Sequence, residues 1–399
     1  MISAARRDPL IWACALVGLY GVLQVILSIA HGPPIGLDFD VLYPDFLVFL
    51  TAARAYFEGK LAIVYDIDAF TAFQNALYAD HFHGTIEFRP FLYPPIWLLL
   101  ILPFGLLAAP KAYLLFAGLT AAFATAMQGP RTGWGWLAVV TSPAAMWVVL
   151  AGQNTWLSLA LFYGGFHLVP RAPWLGGALL GFLAYKPQIW VLVPLALLAA
   201  REWRAMLAMV AVVAALCLAS AGVFGLGFWL AFLEAARDTA TPRFADIMYN
   251  RIYSNLTSLM GAARMIGLSA GAAGLIQLAG AALSAVAVWL AFRRPSDPEA
   301  RIAVLATATF LVSPYTLNYD LLLLMPAVVV LYRQGMRRGF LPLERPVHIA
   351  LWVAPTVGVI LNDQHVPLMP VVILLFGLVA WLRLPNAAKV ELPSPARAG

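Results

Sequence analysis

WLGGALLGFLAYKPQIWVLVPLALLAA, residues 174–200, decides the fold class. About 20 apolar residues in a helix cross the ~30 Å of hydrocarbon in a bilayer, and this run is longer. Its single charge is Lys186, followed at once by Pro187. A charge inside an apolar span costs several kcal/mol unless paired, so Lys186 is a functional candidate. Snorkelling to the surface suits a residue near the end of a run better than one in the middle.

The rest of the chain agrees. Hydrophobic residues make up 62% and charged ones 11%, and mean hydropathy is +0.84. Soluble domains sit near half apolar and a quarter charged. The apolar runs are long and unalternating, which selects helices over a barrel. The expectation is an all-α polytopic membrane protein. It is a bundle of about ten to thirteen transmembrane helices, some half-length, with amphipathic surface helices in the first outer loop. The net charge of +6 reads as arginines at cytoplasmic helix ends, not as a nucleic-acid surface. Cys14 and Cys217 both lie in apolar runs and read as packing residues.

Arg6 and Arg7 place the N-terminus in the cytoplasm. Residues 10–30 form an uncleaved first transmembrane helix, 32–90 an outer loop, 91–383 the transmembrane bundle and 384–399 a cytoplasmic tail. Simple alternation puts Lys111 in the cytoplasm, with Arg201, Arg204, Arg293, Arg294, Arg333, Arg337, Arg338 and Arg383. The Gly152-Gln153-Asn154 turn falls on that side too, unless short helices leave it buried at membrane depth. Residues 225–254, a second polar stretch, and 313–319 fall outside with the first loop.

That first loop holds most of the polar chemistry near the start of the chain. It opens LDFDVLYPDFLVFLTAARAYFEGK (37–60) and closes FRPFLYPP (88–95). Phe46–Phe57 and Ala69–Tyr78 have helical apolar spacing and are expected as two helices on the bilayer surface. Asp45 stands where the first begins, one residue after Pro44. It reads equally as a helix N-cap or as a general base at an apolar interface. Asp38 and Asp40 form an Asp-x-Asp pair and rank second as catalytic candidates. Such a pair can hold a divalent metal on phosphates, but no metal is expected. Arg89 closes the loop at the membrane edge. It suits either an anionic phosphate or a salt bridge to the acidic loop, as does Arg251. Asp320 is offered as the neutralising partner of Lys186 or of Arg251. Gln153 and Asn154 suit interhelical hydrogen bonds. Asn255 and Ser258, one turn apart, are candidates to line the site. No Walker, Gly-x-Ser-x-Gly or dinucleotide fingerprint is present, and the histidines have no metal-ligand spacing.

The order of short motifs resembles a family. Pro44-Asp45-Phe46 is followed by Ala52-Ala53-Arg54, Val64-Tyr65-Asp66 and Leu92-Tyr93-Pro94-Pro95. Then come Ser142-Pro143, Gly152-Gln153-Asn154, Gly181 with Lys186-Pro187, Asn255 with Ser258, and Ser313-Pro314 through Asn318-Tyr319-Asp320. This order is similar to the bacterial polytopic glycosyltransferases of family 87 in the GT-C superfamily, which include polyprenyl-phosphate-mannose-dependent mannosyltransferases. The resemblance implies a polyprenyl-phosphate sugar donor and a glycan or glycolipid acceptor. It implies transfer with inversion on the outer face of the cytoplasmic membrane, with no cofactor. It makes Asp45 the base and Arg89, Arg251 and Lys186 the candidates for the donor phosphate. The candidate substrate-binding set is Arg54, Tyr93, Gln153, Asn154, Asn255, Ser258, Asn318, Tyr319 and Asp320. The mannosyltransferase branch carries a histidine near the late Ser-Pro segment. Here Leu317–Asp320 has none, so the sugar and acceptor stay open, with mannose first. Two other classes compete: a transporter or flippase for a lipid-linked or polar substrate, and a non-catalytic partner in envelope polysaccharide assembly.

Overall fold

The computed structural model describes residues 16, 18–21, 23, 43–79, 89–133, 135–239, 249, 250 and 252–384. Among them the regular elements are helices, apart from one isolated antiparallel bridge between Leu256 and Leu317. Helices α1 (Pro44–Phe57) and α2 (Ile67–Leu77) come first, followed by α3 (Pro95–Ile101), a 3-10 turn at Leu102–Leu106, and α4 (Ala109–Thr132). Next are α5 (Gly135–Val140), α6 (Pro143–Ala151), α7 (Thr155–Leu168) and α8 (Pro173–Phe182). After a 3-10 turn at Leu183–Tyr185 come α9 (Pro187–Trp190), α10 (Val193–Ala199), α11 (Trp203–Phe224) and α12 (Leu226–Thr239). The last third holds a 3-10 turn at Tyr253–Asn255, α13 (Leu259–Met265), α14 (Ala270–Phe292) and α15 (Pro298–Val312). A 3-10 turn at Asn318–Leu324 leads into α16 (Met325–Arg338), then α17 (Glu344–Asp363) and α18 (Met369–Leu382).

Three of these, α11, α14 and α17, are long and apolar enough to cross a membrane. Helices α11 and α14 leave large side chains such as Leu207, Leu218, Leu275 and Leu283 exposed, as lipid-facing helices do. Of the expected first helix, residues 16, 18–21 and 23 are helical, and Gly18 and Gly21 press on Thr141 and Met146. Other apolar runs are broken by proline. The expected single span over 134–150 is two helices, because Pro143 starts α6 and Ser142 caps it by accepting from the Ala145 N–H. The opening run of 174–200 breaks at Lys186, whose ψ of 79° is not helical. Proline disfavours helical backbone in the residue before it.

The bundle has two chemically distinct ends. At the arginine end, Asp297 caps α15 and meets Arg338 and Gln334 from the last turns of α16. There too Arg383 pairs with buried Glu344, and the Arg333 guanidinium donates to the Thr132 carbonyl at 2.6 Å. The end holding Asp45 lies one helix length away, since the 14 residues of α16 span ~21 Å.

This frame corrects the simple alternation. Helix α4 begins at the Asp45 end, where Tyr113 stacks on Tyr43 at 4.3 Å, and finishes at Thr132. Residues 95–106 therefore do not cross the bundle, and Lys111 lies near the Asp45 end rather than with the arginines. Helices α5 and α6 together return to the Asp45 end. Helix α7 then descends to His167, 3.2 Å from Glu299 in the first turn of α15. The run 174–200 turns back on itself as well. Helix α8 rises to Lys186, and α9 and α10 lead back to Glu202, close to Arg301.

The two expected surface helices differ from one another. Helix α2 is one-sided, burying only Phe70 and Gln74. Helix α1 is not a surface helix: Phe46 through Ala53 are all buried, along with Pro44 and Ala55. Helix α3 and the 102–106 turn cover its second face, so close that a Cβ on Gly105 would sit 2.8 Å from Ala53 Cβ. The polar stretch 225–254 begins with α12. That helix packs Phe228 and Phe232 against Tyr65 and exposes Leu226, Leu230 and Leu233.

Candidate functional site

Asp45 is the second residue of α1, after Pro44. The capping position belongs to Tyr43, which sits in the left-handed region at φ 52° and makes no side-chain cap. The N-cap role open to Asp45 in the sequence is therefore not the one it plays. Its carboxylate still sits at the positive end of the helix dipole, which favours the anion. Arg89 Nη1 donates to Asp45 Oδ1 at 2.7 Å, and Gln153 Nε2 donates to Oδ2 at 2.7 Å. Both charged side chains are partly open to solvent, at 31% for Arg89 and 18% for Asp45. Each carboxylate oxygen keeps a second lone pair for an incoming hydroxyl.

Backbone geometry fixes Gln153 against Asp45. Gly152 ends α6 at φ 73°, where a side chain would be strained. A Cβ there would also lie 2.7 Å from the Cβ atoms of both Tyr43 and Phe46. The Tyr43 N–H donates to the Leu150 carbonyl at 2.8 Å, tying the start of α1 to the end of α6. Gln153 Oε1 accepts from the Tyr93 hydroxyl and the Asn154 N–H, both at 3.3 Å, while its Nε2 also reaches Tyr319 Oη at 3.1 Å. Tyr93 is itself held by Tyr65, whose hydroxyl donates to the Tyr93 carbonyl at 2.8 Å. Burial pushes the Tyr65 phenol well up, so it stays a donor.

Beneath this layer lies a second one. Lys186 Nζ donates to Asp320 Oδ1 at 2.6 Å and to Asn154 Oδ1 at 3.1 Å. The Thr155 hydroxyl and the Leu317 N–H donate to the same aspartate, at 3.3 and 3.4 Å. Lys186 and Asp320 are 1% and 4% exposed, so this is a closed ion pair in the interior. Lys186 is one of the two partners the sequence offered Asp320, and the two meet; the other, Arg251, lies outside the described residues. Tyr185 stacks on Trp97 and donates to the Asn154 carbonyl. Tyr185, Thr155 and Ser158, which shares a 2.8 Å hydrogen bond with Tyr185, are site-wall residues that sequence reasoning did not single out. Their only sequence signal is polarity next to the Gly-Gln-Asn and Lys-Pro motifs.

Asp45, Arg89, Tyr93, Gln153, Asn154, Lys186, Tyr319 and Asp320 thus form one continuous network. Other candidates lie apart from it. Arg54 is nine residues along α1 from Asp45, ~13 Å away, bonded to the Leu107 carbonyl and facing Tyr78. Ser258 caps α13 by accepting from the Gly261 N–H. Asn318 donates to the Pro355 carbonyl. Asn255 sits in the 253–255 turn, whose continuation pairs with the late segment through the Leu256–Leu317 bridge and the Thr257–Thr316 hydrogen bonds. Asp38, Asp40 and Arg251 lie outside the described residues. Among the described residues no three His, Cys, Asp or Glu side chains gather as metal ligands.

A family model, glycosyltransferase family 87, matches residues 91–314, more than half of the chain. The matched region takes in Tyr93, Gln153, Asn154 and Lys186, and stops short of Asp45 and Arg89 on one side and of Tyr319 and Asp320 on the other. No curated protein and no solved structure matches.

Proposed function

The chain belongs to glycosyltransferase family 87, and from that premise we propose that it moves a sugar from a polyprenyl-phosphate donor onto a glycan or lipid acceptor, with inversion. Mannose is the first sugar to test. The observation that carries this reading is Asp45, held at the edge of the site between a cation and an amide donor. A base that takes a hydroxyl proton needs access to the acceptor and a fixed orientation; the partial exposure of Asp45 and its two donors support that role.

The proposed step is a single displacement. The acceptor hydroxyl oxygen attacks the anomeric carbon as Asp45 takes its proton. The bond from that carbon to the phosphate oxygen breaks, and the lipid phosphate leaves with the electron pair. Arg89 stabilises the charge that grows on it, with Arg251 as a further candidate. Phosphate leaves readily, so the protein's task is mainly positioning and charge stabilisation. The reading uses no cofactor or metal.

The two-ended bundle supports a placement in the bacterial inner membrane. Arginines collect at one end and Asp45 stands at the other, which under the positive-inside rule supports an outer-face Asp45. Ten or more membrane-embedded segments, some of them re-entrant, belong to this reading. A transporter is less well supported, because Lys186 and Asp320 are closed on each other rather than facing a path.

The test is incubation of purified protein with a panel of polyprenyl-phosphate sugars and membrane extract, followed by mass spectrometry. A product heavier than the acceptor by one sugar is expected, and Asp45→Asn should form it about 10³-fold more slowly while leaving donor binding intact. Full activity in Asp45→Asn sinks the assignment of the base. Transfer from a nucleotide sugar alone sinks the assignment of the donor.

A further inference from the structure

Two pairs of sequence neighbours bridge the two layers of the site. In Gln153-Asn154, Gln153 bonds Asp45 and Asn154 bonds Lys186. In Tyr319-Asp320, Tyr319 meets the amide that holds Asp45, and Asp320 bonds Lys186. Each pair turns one residue to the partly exposed carboxylate and the next to the buried ammonium. Lys186 also lies 6.0 Å from the centre of the Tyr319 ring. Its side chain is 1% exposed, and its ammonium already donates to two oxygens.

We infer that the buried Lys186–Asp320 pair is a positioning device for Asp45 and not a contact to the donor phosphate. It fixes the backbone of both dipeptides at once, and so sets where Gln153 and Tyr319 stand. A lysine meant for phosphate would keep donors free at the surface. Lys186 spends its donors inside, on the residues next to those that orient the base. It acts through Asn154 and Asp320 and touches neither sugar nor acceptor. This rests on Asp45 being the base. The displacement of a reacting group by about 1 Å costs on the order of 10²-fold in rate.

The test compares the wild type with Lys186→Met/Asp320→Asn and with Asn154→Ala. The double variant removes both charges of the pair and keeps an acceptor for Thr155. Asn154→Ala keeps the ion pair and cuts its link to the turn. Both should fold, as judged by a monodisperse profile and thermal midpoint. With polyprenyl-phosphate sugars, kcat should fall about 10²-fold in the double variant and less in Asn154→Ala, with donor KM unchanged. Unchanged kcat in both overturns the proposal. A raised donor KM at unchanged kcat also overturns it, in favour of a phosphate contact. A misfolded double variant leaves the decision to Asn154→Ala.

An infrared measurement needs no substrate. The Asp45 carboxylate band is isolated by subtracting the spectrum of each matching Asp45→Asn protein. It should shift and broaden in both variants as Gln153 loosens, and an unmoved band overturns the proposal. If wild type transfers sugar from no donor, the functional reading fails, and the band alone decides whether the pair positions Asp45.

Discussion

Two ion pairs of almost equal length sit in the same site. Arg89–Asp45 is 2.7 Å long and partly open, whereas Lys186–Asp320 is 2.6 Å long and closed. Distance does not separate them; water does. An exposed pair contributes about 0–1 kcal/mol and its partners exchange readily. Removing one member of a buried pair leaves an uncompensated charge in the interior. The open pair can therefore serve chemistry, which must give and take partners. The closed pair is suited to holding shape.

Breaking the two pairs should separate activity from stability. The largest expected effect is Asp45→Asn, with transfer down about 10³-fold and the thermal midpoint little changed, measured by product formation and by a melting curve on one preparation. Lys186→Met alone should cost about 3–5 kcal/mol of stability, seen as a much lower thermal midpoint or failure to purify as a monodisperse species. Equal stability losses in Arg89→Met and Lys186→Met would erase the contrast. Gly152→Ala should cost about 1–3 kcal/mol, because it forces a side chain into left-handed backbone. It should also lower kcat, because its Cβ strikes the residues flanking Asp45. The smallest effect belongs to a residue outside both layers. Ser258→Ala should lose about 1 kcal/mol for its missing cap and leave kcat unchanged.

Much of this contrast was legible in the sequence, and the failures have physical causes. A lysine in the middle of an apolar run demands a partner, so Asp320 could be offered to Lys186 across more than a hundred residues, with Arg251 as the alternative. Asp45 and Arg89 stood out as polar residues at the rims of apolar stretches. Gln153 as the second holder of Asp45 was not legible. Residue type cannot tell an amide that bridges helices from one that orients a carboxylate. Simple alternation failed over 95–106 and 174–200, because a segment that enters and returns is as apolar as one that crosses. The full burial of α1 was hidden for a related reason. Its sequence is apolar nearly all round, and attention to one face missed the covering supplied by 102–106.

The Leu256–Leu317 bridge has a consequence for how the protein can change. It clamps two distant loops in register just before Tyr319 and Asp320. The Thr257–Thr316 hydroxyl bond at 2.8 Å lies one residue from the bridge and supports the same register. A one-residue insertion just after Leu317 would shift the turn by one position, bringing Tyr319 to the place Asp320 holds beside Lys186 and removing the carboxylate from it. At this edge of the site, length is held as tightly as the identity of Tyr319 and Asp320.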